Sequence, residues 1–509
     1  MRDLGRTLIA AAERGPGAEA IVDGALRLNY ADWLDRVRRL AGGLDRAGLG
    51  RGDHLASVLQ NRWQAAALHW ACQWLGVIST PLNWRLTPAE LDYCLTDSKA
   101  RAVVFESASA AAVAGAPRAA VLPRISIDGA PGASGAFGAL LDGPAATDQP
   151  RATPEDVSIM LYTSGTTGRP KGVPRRHRAE RAATLAHVAQ NGYQRGERCL
   201  GVMPLYHTMG VRALLAMALV DGCFVCQPRF DASESLKLIA AERLTCLYLV
   251  PTLYHDLLGQ SGFDPSAVAT VRRLGFAGAP MTEGLLQDVT AAFRPERLVN
   301  HYGSSEIYTF TVEPEAARKP GSAGKAGLNQ RIRVVPLGTR DPDRRAAPGE
   351  NGEIIADLAS DEAFEGYWNR PDADSRAIVG DWYFTGDTGF FDADGDLYVT
   401  GRVDDMIITG GENVAPVEVE SVLSLHPLVG EVAVAGVADE RWGQRVTAFV
   451  CRAAPVTAEE LDAHCRNSDL AAFKRPRAYV FAARLPKSPT GKVLRRELVA
   501  GTYDLEEDC

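Results

Sequence analysis

Up to about residue 400, short apolar runs alternate with amphipathic stretches along the chain. After Asn29, a residue suited to capping a helix, Trp33, Val37, Leu40 and Leu44 fall on one helical face. HLASVLQN then reads as a strand, WQAAALHWACQWLG as a buried helix and VISTPLN as the next strand. Helices alternating with short apolar strands predict parallel sheets covered by helices. LTCLYLVPT and RLVNHYG read as strand ends running into loops, where open α/β sheets usually bind their ligands. The Ala-, Gly- and Pro-rich stretch 105–150 predicts only a variable surface region. After GRVDD (401–405) the texture changes. VEVESVLSL reads as a short helix, EVAVAGV and RVTAFVCR as alternating strands, AEELDAHCRN as a helix and AYVFAARLP as a strand. That is a compact α+β unit of about 100 residues. The expected division is 1–401 for a large N-terminal domain, 402–404 for a hinge and 405–509 for a small C-terminal domain.

Composition narrows the function classes. The chain has 509 residues, 46% hydrophobic and 23% charged, the balance of a globular enzyme of several domains. No apolar run approaches the ~20 residues that span a bilayer. The opening MRDLGRTLIAAAERG reads as a small amphipathic helix and not as a signal peptide. A net charge of −8 offers no electrostatic footprint for nucleic acid or an anionic membrane. The nine cysteines are scattered. The pair Cys223/Cys226 lies in the apolar run CFVC and reads as two buried thiols, not a zinc or redox site. The expected compartment is reducing and cytoplasmic.

The most informative segment is Tyr162-Thr-Ser-Gly-Thr-Thr-Gly-Arg-Pro-Lys-Gly172. Gly165 and Gly168 allow backbone N–H groups to turn inward. Thr163, Ser164, Thr166 and Thr167 add hydroxyl donors, and Lys171 adds a positive charge. Together they suit a polyphosphate. The loop is not of the Walker A type, because its lysine follows Pro170 and no Ser or Thr follows it.

This string resembles the signature of the adenylate-forming superfamily, which contains acyl-CoA synthetases, carrier-loading adenylation domains and beetle luciferases. Four further segments resemble its motifs, in its order and spacing. They are His301-Tyr-Gly-Ser-Ser-Glu306, Asp381-Trp-Tyr-Phe-Thr-Gly-Asp387, Gly401 to Asn413 (GRVDDMIITGGEN) and Pro486-Lys-Ser-Pro-Thr-Gly-Lys-Val493. The texture is most similar to that of the bacterial benzoate-type CoA ligases. The resemblance implies a large α/β N-terminal domain of stacked mixed sheets with covering helices, and a small mobile α+β C-terminal domain.

It also implies the chemistry. A carboxylate is a poor electrophile, and joining it to the α-phosphate of ATP makes AMP its leaving group. The enzyme must shield negative charge on both partners while holding them in line. By resemblance, the 163–171 loop, with Ser304 and Ser305, holds the phosphates of ATP. Glu306 binds Mg²⁺, a hard ion that wants carboxylate and phosphate oxygens. Tyr302 stacks on adenine, and Asp387, assisted by Arg402, holds the ribose. Lys492 bridges the substrate carboxylate and the α-phosphate, acting on rate more than on binding. The small domain then turns about Asp404, and the Gly410-Gly411 loop replaces the Lys492 loop so that the thiol of coenzyme A can attack. Trp442, with Lys474, Arg475, Arg477 and Arg85, is the candidate CoA site. Asp392-Ala-Asp-Gly-Asp396 is only superficially like a calcium loop and reads as a polar hairpin turn.

The implied acyl pocket lies between the His207 motif, the strand end at Phe276-Ala-Gly-Ala-Pro280 and the 301–306 loop. Its candidates are Ala186, His207, Met209, Tyr248, Gly278, His301, Gly303 and Tyr308. His301 and Tyr308 stand where chlorobenzoate-type members carry apolar residues, and Ala186 where they carry an aromatic. A substrate with a polar ring atom or substituent, such as a hydroxybenzoate or furoate, is expected. The leading expectation is therefore an ATP-, Mg²⁺- and CoA-dependent ligase for an aryl acid. Alternatives are loading of the acid onto a carrier protein, a medium-chain fatty acyl-CoA synthetase, a luciferase-type oxygenase, or a non-catalytic binding protein. Expected partners are small molecules, with a homodimer open and neither nucleic acid nor membrane expected.

Overall fold

The computed structural model describes residues 3–163, 170–403, 405–468, 470–487 and 493–506. Asp3 starts the first helix by accepting the Arg6 N–H, and Leu4, Leu8 and Ala11 bury its apolar face. Asn29 does the same for Tyr30–Arg46, whose Trp33, Val37, Leu40 and Leu44 are all buried. Trp63–Leu75 is buried almost throughout and ends on Gly76 in the left-handed region.

Two large sheets flank these helices. In spatial order the seven-stranded sheet runs 135–136, 124–126, 102–105, 54–58, 78–81, 157–163, 171–176. Its neighbours are parallel except the last pair, which is antiparallel. The fourteen-stranded sheet has a parallel half, from 297–302 through 273–276, 246–249, 198–201 and 223–226 to 19–23. Its other half is antiparallel and includes 352–357, 382–391 and 397–402. One core joins Leu55, Val104 and Ile159 of the first sheet to Ile21, Cys199 and Phe224 of the second, with helices 4–14, 30–46, 63–75 and 208–219 between them. The fold is therefore a large α/β unit of stacked mixed sheets followed by a small α+β unit.

The small unit has its own core around Ile407, Val419, Val434, Val446 and Leu461. Its five-stranded sheet holds 412–414, 407–409, 443–452, 429–439 and 478–481. Strand Leu397–Arg402 still pairs in the large sheet, and Ile407–Thr409 is the first strand of the small one. Asp404, between them, lies outside the described residues. Helix Pro416–Ser424 packs against helix Glu283–Phe293 of the large unit.

Two local findings add to the sequence reading. The 105–150 stretch is more ordered than expected, because Arg124–Ser126 and Gly135–Ala136 extend the seven-stranded sheet at its edge. In the 392–396 turn, Lys319 Nζ lies 2.7 Å from Asp392 and 3.2 Å from Asp394 and also pairs with Asp396. The chain's own ammonium fills the place among these carboxylates. Cys223 and Cys226 are buried free thiols, and burial pushes the Cys223 thiol up to about 12. Among the described residues no helix is long and apolar enough to cross a membrane.

Burial also holds several histidines neutral. His54 and His177 fall to about 4, and His69 to about 3. The unfolded chain takes up protons below about 6.5 that the folded chain refuses, so stability is full above that pH and is lost as pH falls. At pH 5 each such histidine costs about 2 kcal/mol. The melting temperature is expected to be flat above pH 7 and to drop steeply between pH 6.5 and 4.5 in a buffer series at constant ionic strength.

Candidate active site

The site gathers at strand ends. Strand Val157–Thr163 runs out into the phosphate-loop segment and strand Lys171–Arg176 returns, with Thr163 opposite Lys171 in register. The loop is thus pinched at its mouth, where Thr163 Oγ1 faces the Lys171 carbonyl at 3.5 Å. Ser164, Gly165, Thr166, Thr167 and Gly168 lie outside the described residues, as does Lys492. Lys171 Nζ sits 4.2 Å over the Tyr367 ring, and the Tyr367 hydroxyl donates to Glu306 Oε1 at 2.5 Å. Burial pulls the Lys171 ammonium down in pKa, and the Glu306 charge opposes that shift. A cation and a carboxylate therefore share one aromatic support beside the loop.

The turn carrying Glu306 is built locally. Ser304 Oγ accepts the N–H of Glu306 at 3.2 Å, and Ser304 N–H donates to the Ile307 carbonyl at 2.9 Å. A Cβ at Gly303 would meet the Tyr308 carbonyl oxygen at 2.2 Å, so only glycine lets this turn fold back on itself. Asp387 stands opposite Arg402 across the 382–391/397–402 ladder. The Arg402 guanidinium is 2.9 Å from Asp387 Oδ1, and Tyr302 OH donates to Oδ2 at 2.7 Å. Two candidates on one hairpin and Tyr302 from a distant strand thus form one polar group.

Beneath them lies a buried frame absent from the sequence reading. Arg175 and Glu180, both wholly buried, pair at 2.5 Å. Arg175 also donates to the carbonyl oxygens of Ser305 at 3.3 Å and Glu306 at 3.0 Å. Tyr308, a pocket candidate, lies under the Arg175 guanidinium at 3.7 Å and donates to Glu180 at 3.1 Å. The only sequence signal was the pair of charges on the otherwise buried start of helix His177–Asn191 and the strand before it.

The remaining pocket candidates form a ring cluster. His301, Tyr248 and the unpredicted His187 have centroids 4.7–5.4 Å apart. Asn191 links the histidines, its amide nitrogen 3.0 Å from His187 Nδ1 and 3.0 Å from His301 Nε2. Burial, with Arg212 nearby, keeps both histidines neutral. Arg212 was also unpredicted, although it is the one charge in the apolar helix Thr208–Leu219. It donates to Thr309 Oγ1 and Tyr248 OH, both at 2.6 Å. His207 caps that helix by accepting the Met209 N–H at 3.3 Å, and burial takes it down to about 4. Ala186 and Met209 are buried, whereas Gly278 is exposed just past strand Arg273–Phe276.

Comparison with known proteins shows the family. Residues 8–368 match the AMP-binding enzyme family and 418–492 the AMP-binding enzyme C-terminal domain. The chain belongs to the AMP-binding enzymes. It is 33% identical to a 4-chlorobenzoate–CoA ligase of Arthrobacter sp., covering 98% of this chain and 95% of the relative. It is 32% identical to a long-chain-fatty-acid–CoA ligase of Mycobacterium tuberculosis, covering 98% of each. Among solved structures, o-succinylbenzoate CoA synthetase of Bacillus subtilis in complex with its acyl-adenylate superposes with a TM-score of 0.82 at 28% identity, over 97% of each chain. This AMP-binding enzyme is an acyl-CoA ligase that works through an acyl-adenylate.

Its C-terminal unit brings part of the candidate CoA site together. The Gly410-Gly411 turn is exposed, and both glycines have positive φ, +60° and +87°. A Cβ at Gly410 would meet the Trp442 ring at 2.8 Å, and Gly410 N–H donates to the Trp442 carbonyl at 2.9 Å. Arg477 and the unpredicted Arg441 lie over the same indole at 4.1 and 4.9 Å. Lys474 instead pairs with Glu418, Arg475 reaches the Ala472 carbonyl at 3.4 Å, and Arg85 stacks on Trp84 at 4.2 Å.

Removing one member of the Arg175–Glu180 pair strands a buried charge. Arg175→Met is expected to lower stability by about 3–5 kcal/mol, and adding Glu180→Met to recover most of it. Urea unfolding of the two variants beside the parent measures this. A double variant no more stable than the single one would refute the pairing.

Proposed function

We propose that this AMP-binding enzyme joins an aromatic or heteroaromatic carboxylic acid, such as a substituted benzoate or furoate, to free CoA. The observation that carries this reading is the ring cluster of His187, Tyr248 and His301 beside the nucleotide group. Aromatic faces and edges favour another flat ring in offset or edge-on contact. An alkyl chain would leave the polar atoms of these side chains unpaired, a cost of about 1–3 kcal/mol for each.

In the first half-reaction a carboxylate oxygen of the acid attacks the α-phosphorus of ATP, and pyrophosphate leaves. The 163–168 loop and Lys171 hold the departing phosphates, Tyr302 packs on adenine, and Asp387 with Arg402 holds the ribose. Lys492 neutralises the charge that builds up on the five-coordinate phosphorus. Glu306 suits Mg²⁺, since one carboxylate plus substrate phosphates is an ordinary ligand set for it. Among the described residues Tyr367 takes its Oε1. When bound, the ion neutralises phosphate charge.

In the second half-reaction the CoA sulfur attacks the acyl carbon and AMP leaves. Rotation about Asp404 would bring the Gly410-Gly411 turn to the site. Two contacts support the described arrangement as the adenylate-forming one. Lys487, shortly before Lys492, pairs with Glu431, which lies 3.8 Å from His255 of the large unit. The Gly410-Gly411 turn meanwhile faces solvent. The indole with its two stacked guanidiniums supports free CoA as thiol donor, since such cations suit the CoA phosphates.

The test is CoA-dependent AMP formation with benzoate, hydroxybenzoates, furoate, chlorobenzoate and octanoate. Aryl acids are expected to lead, and Lys492→Ala to cut turnover at least a hundredfold with a smaller change in KM. A clear preference for long alkyl acids would overturn the reading. Acid-dependent ATP–pyrophosphate exchange without CoA turnover would replace CoA by a carrier protein.

A further inference from the structure

Arg212 touches the ring cluster at Tyr248, Glu362 lies close enough for its charge to act on both, and each has unmet hydrogen-bonding capacity. Arg212 is only 2% exposed. Two of its nitrogens donate to the neutral hydroxyls of Thr309 and Tyr248, and its Nε has no partner. Among the described residues no carboxylate forms an ion pair with it, in contrast to Arg175, which is held by Glu180. Glu362 is wholly buried, and neither carboxylate oxygen makes a hydrogen bond of good geometry. Burial pushes it up to about 7, while the charges of Arg212 and Arg175 and the Thr309 N–H hold it down. Thr309 thus stands between the two, its hydroxyl taken by Arg212 and its amide facing Glu362. His187 Nε2 and His301 Nδ1, on rings next to Tyr248, are unpartnered as well.

Buried polar atoms are nearly always paired, so a group of orphans clustered around one guanidinium marks the place of a small polar group that completes it. Its chemistry follows from what is missing. Arg212 Nε–H needs an acceptor and Glu362 needs a donor. A hydroxyl supplies both. A second carboxylate would satisfy Arg212 but repel Glu362 in its ionised form. An aryl amine would serve Glu362 and offer Arg212 nothing. Hydrogen, methyl and chlorine serve neither.

We propose that the acid activated here carries a ring hydroxyl, read by Arg212 as donor and Glu362 as acceptor. This rests on the aryl-acid reading and narrows it. Neither residue bonds to Tyr302, Asp387 or Arg402, so both would set specificity and leave the chemistry to the nucleotide group. A site built to hydrogen-bond a substrate hydroxyl discriminates far more strongly against the analogue lacking it than an apolar pocket discriminates by size.

The experiment compares kcat/KM of the unmodified enzyme for hydroxylated acids and their parents: the three hydroxybenzoate isomers against benzoate, and 4-hydroxycinnamate against cinnamate, with 4-amino-, 4-chloro- and 4-methylbenzoate beside them. At least one hydroxylated acid is expected to exceed its parent by about a hundredfold or more, with the amine between and the chloro and methyl acids near the parent. Aryl turnover with no hydroxylated acid more than threefold above its parent would overturn this inference and leave the aryl reading standing. Turnover of octanoate alone would overturn both. Glu362→Gln and Arg212→Met are each expected to reduce the hydroxyl-to-parent ratio by about thirtyfold, and a ratio unchanged in both variants would also overturn the assignment. Because the wild-type ratios need no variant, a variant that fails to fold leaves the test intact.

Discussion

An ion pair closed off from water, Arg175 with Glu180, ties together the parts on which the site depends. Arg175 closes the strand that returns from the phosphate loop, Glu180 opens the helix that carries Ala186, His187 and Asn191, and the two carbonyls held by Arg175 belong to the Glu306 turn. Removing water from two charges costs several kcal/mol per ion, repaid here by the pair itself, the two carbonyls and Tyr308, while Arg175 Nη2 has no partner of good geometry among the described residues. Such a pair tolerates little displacement, so the returning strand, the helix and the Glu306 turn keep a common frame. Tyr308 completes that frame by stacking under the guanidinium and donating to the carboxylate.

Above this frame the polar groups fall into two classes. Tyr302, Asp387 and Arg402 already satisfy one another, and Tyr367 already supports both Lys171 and Glu306. Groups preorganised in this way need little rearrangement to meet a charged ligand, which is how a site of fixed dipoles lowers a barrier. The ring cluster differs, because its histidines, Arg212 and Glu362 retain unpaired atoms away from solvent. The candidate nucleotide group is thus built on satisfied contacts, and the ring cluster retains unsatisfied ones.

What was legible in the sequence follows from this. Helix 30–46 announced itself by cap and periodicity, since its apolar face meets the core, and helix 63–75 by an apolar run that is buried almost throughout. The polyphosphate character of Thr163 to Lys171 could be read because one stretch carries it, whereas Asp387 and Arg402 were expected only through the family resemblance, and the structure sets them opposite each other on one hairpin. The strands within 105–150 could not, because elements two or three residues long show no period. Arg212 was visible as a lone charge in an apolar helix, but its partners Tyr248 and Thr309 are 36 and 97 residues away, and only folding brings them together. Lys474 illustrates the converse: proximity in sequence to Arg475 and Arg477 suggested one basic patch, yet its charge is spent on Glu418.

The turn at 392–396 has a consequence for the whole antiparallel half of the large sheet. Lys319 sits just before strand Ser322–Ala326, which pairs with Leu397–Arg402, so its ammonium joins the two ends of that ladder through the aspartates. A loop of this composition filled by a metal would tie the register of the strand ending at Arg402 to the divalent-ion level of its surroundings. Carrying the counter-ion in the chain removes that dependence. The strand that delivers Arg402 to Asp387 and leads into the small domain therefore carries its own counter-ion at the turn before it.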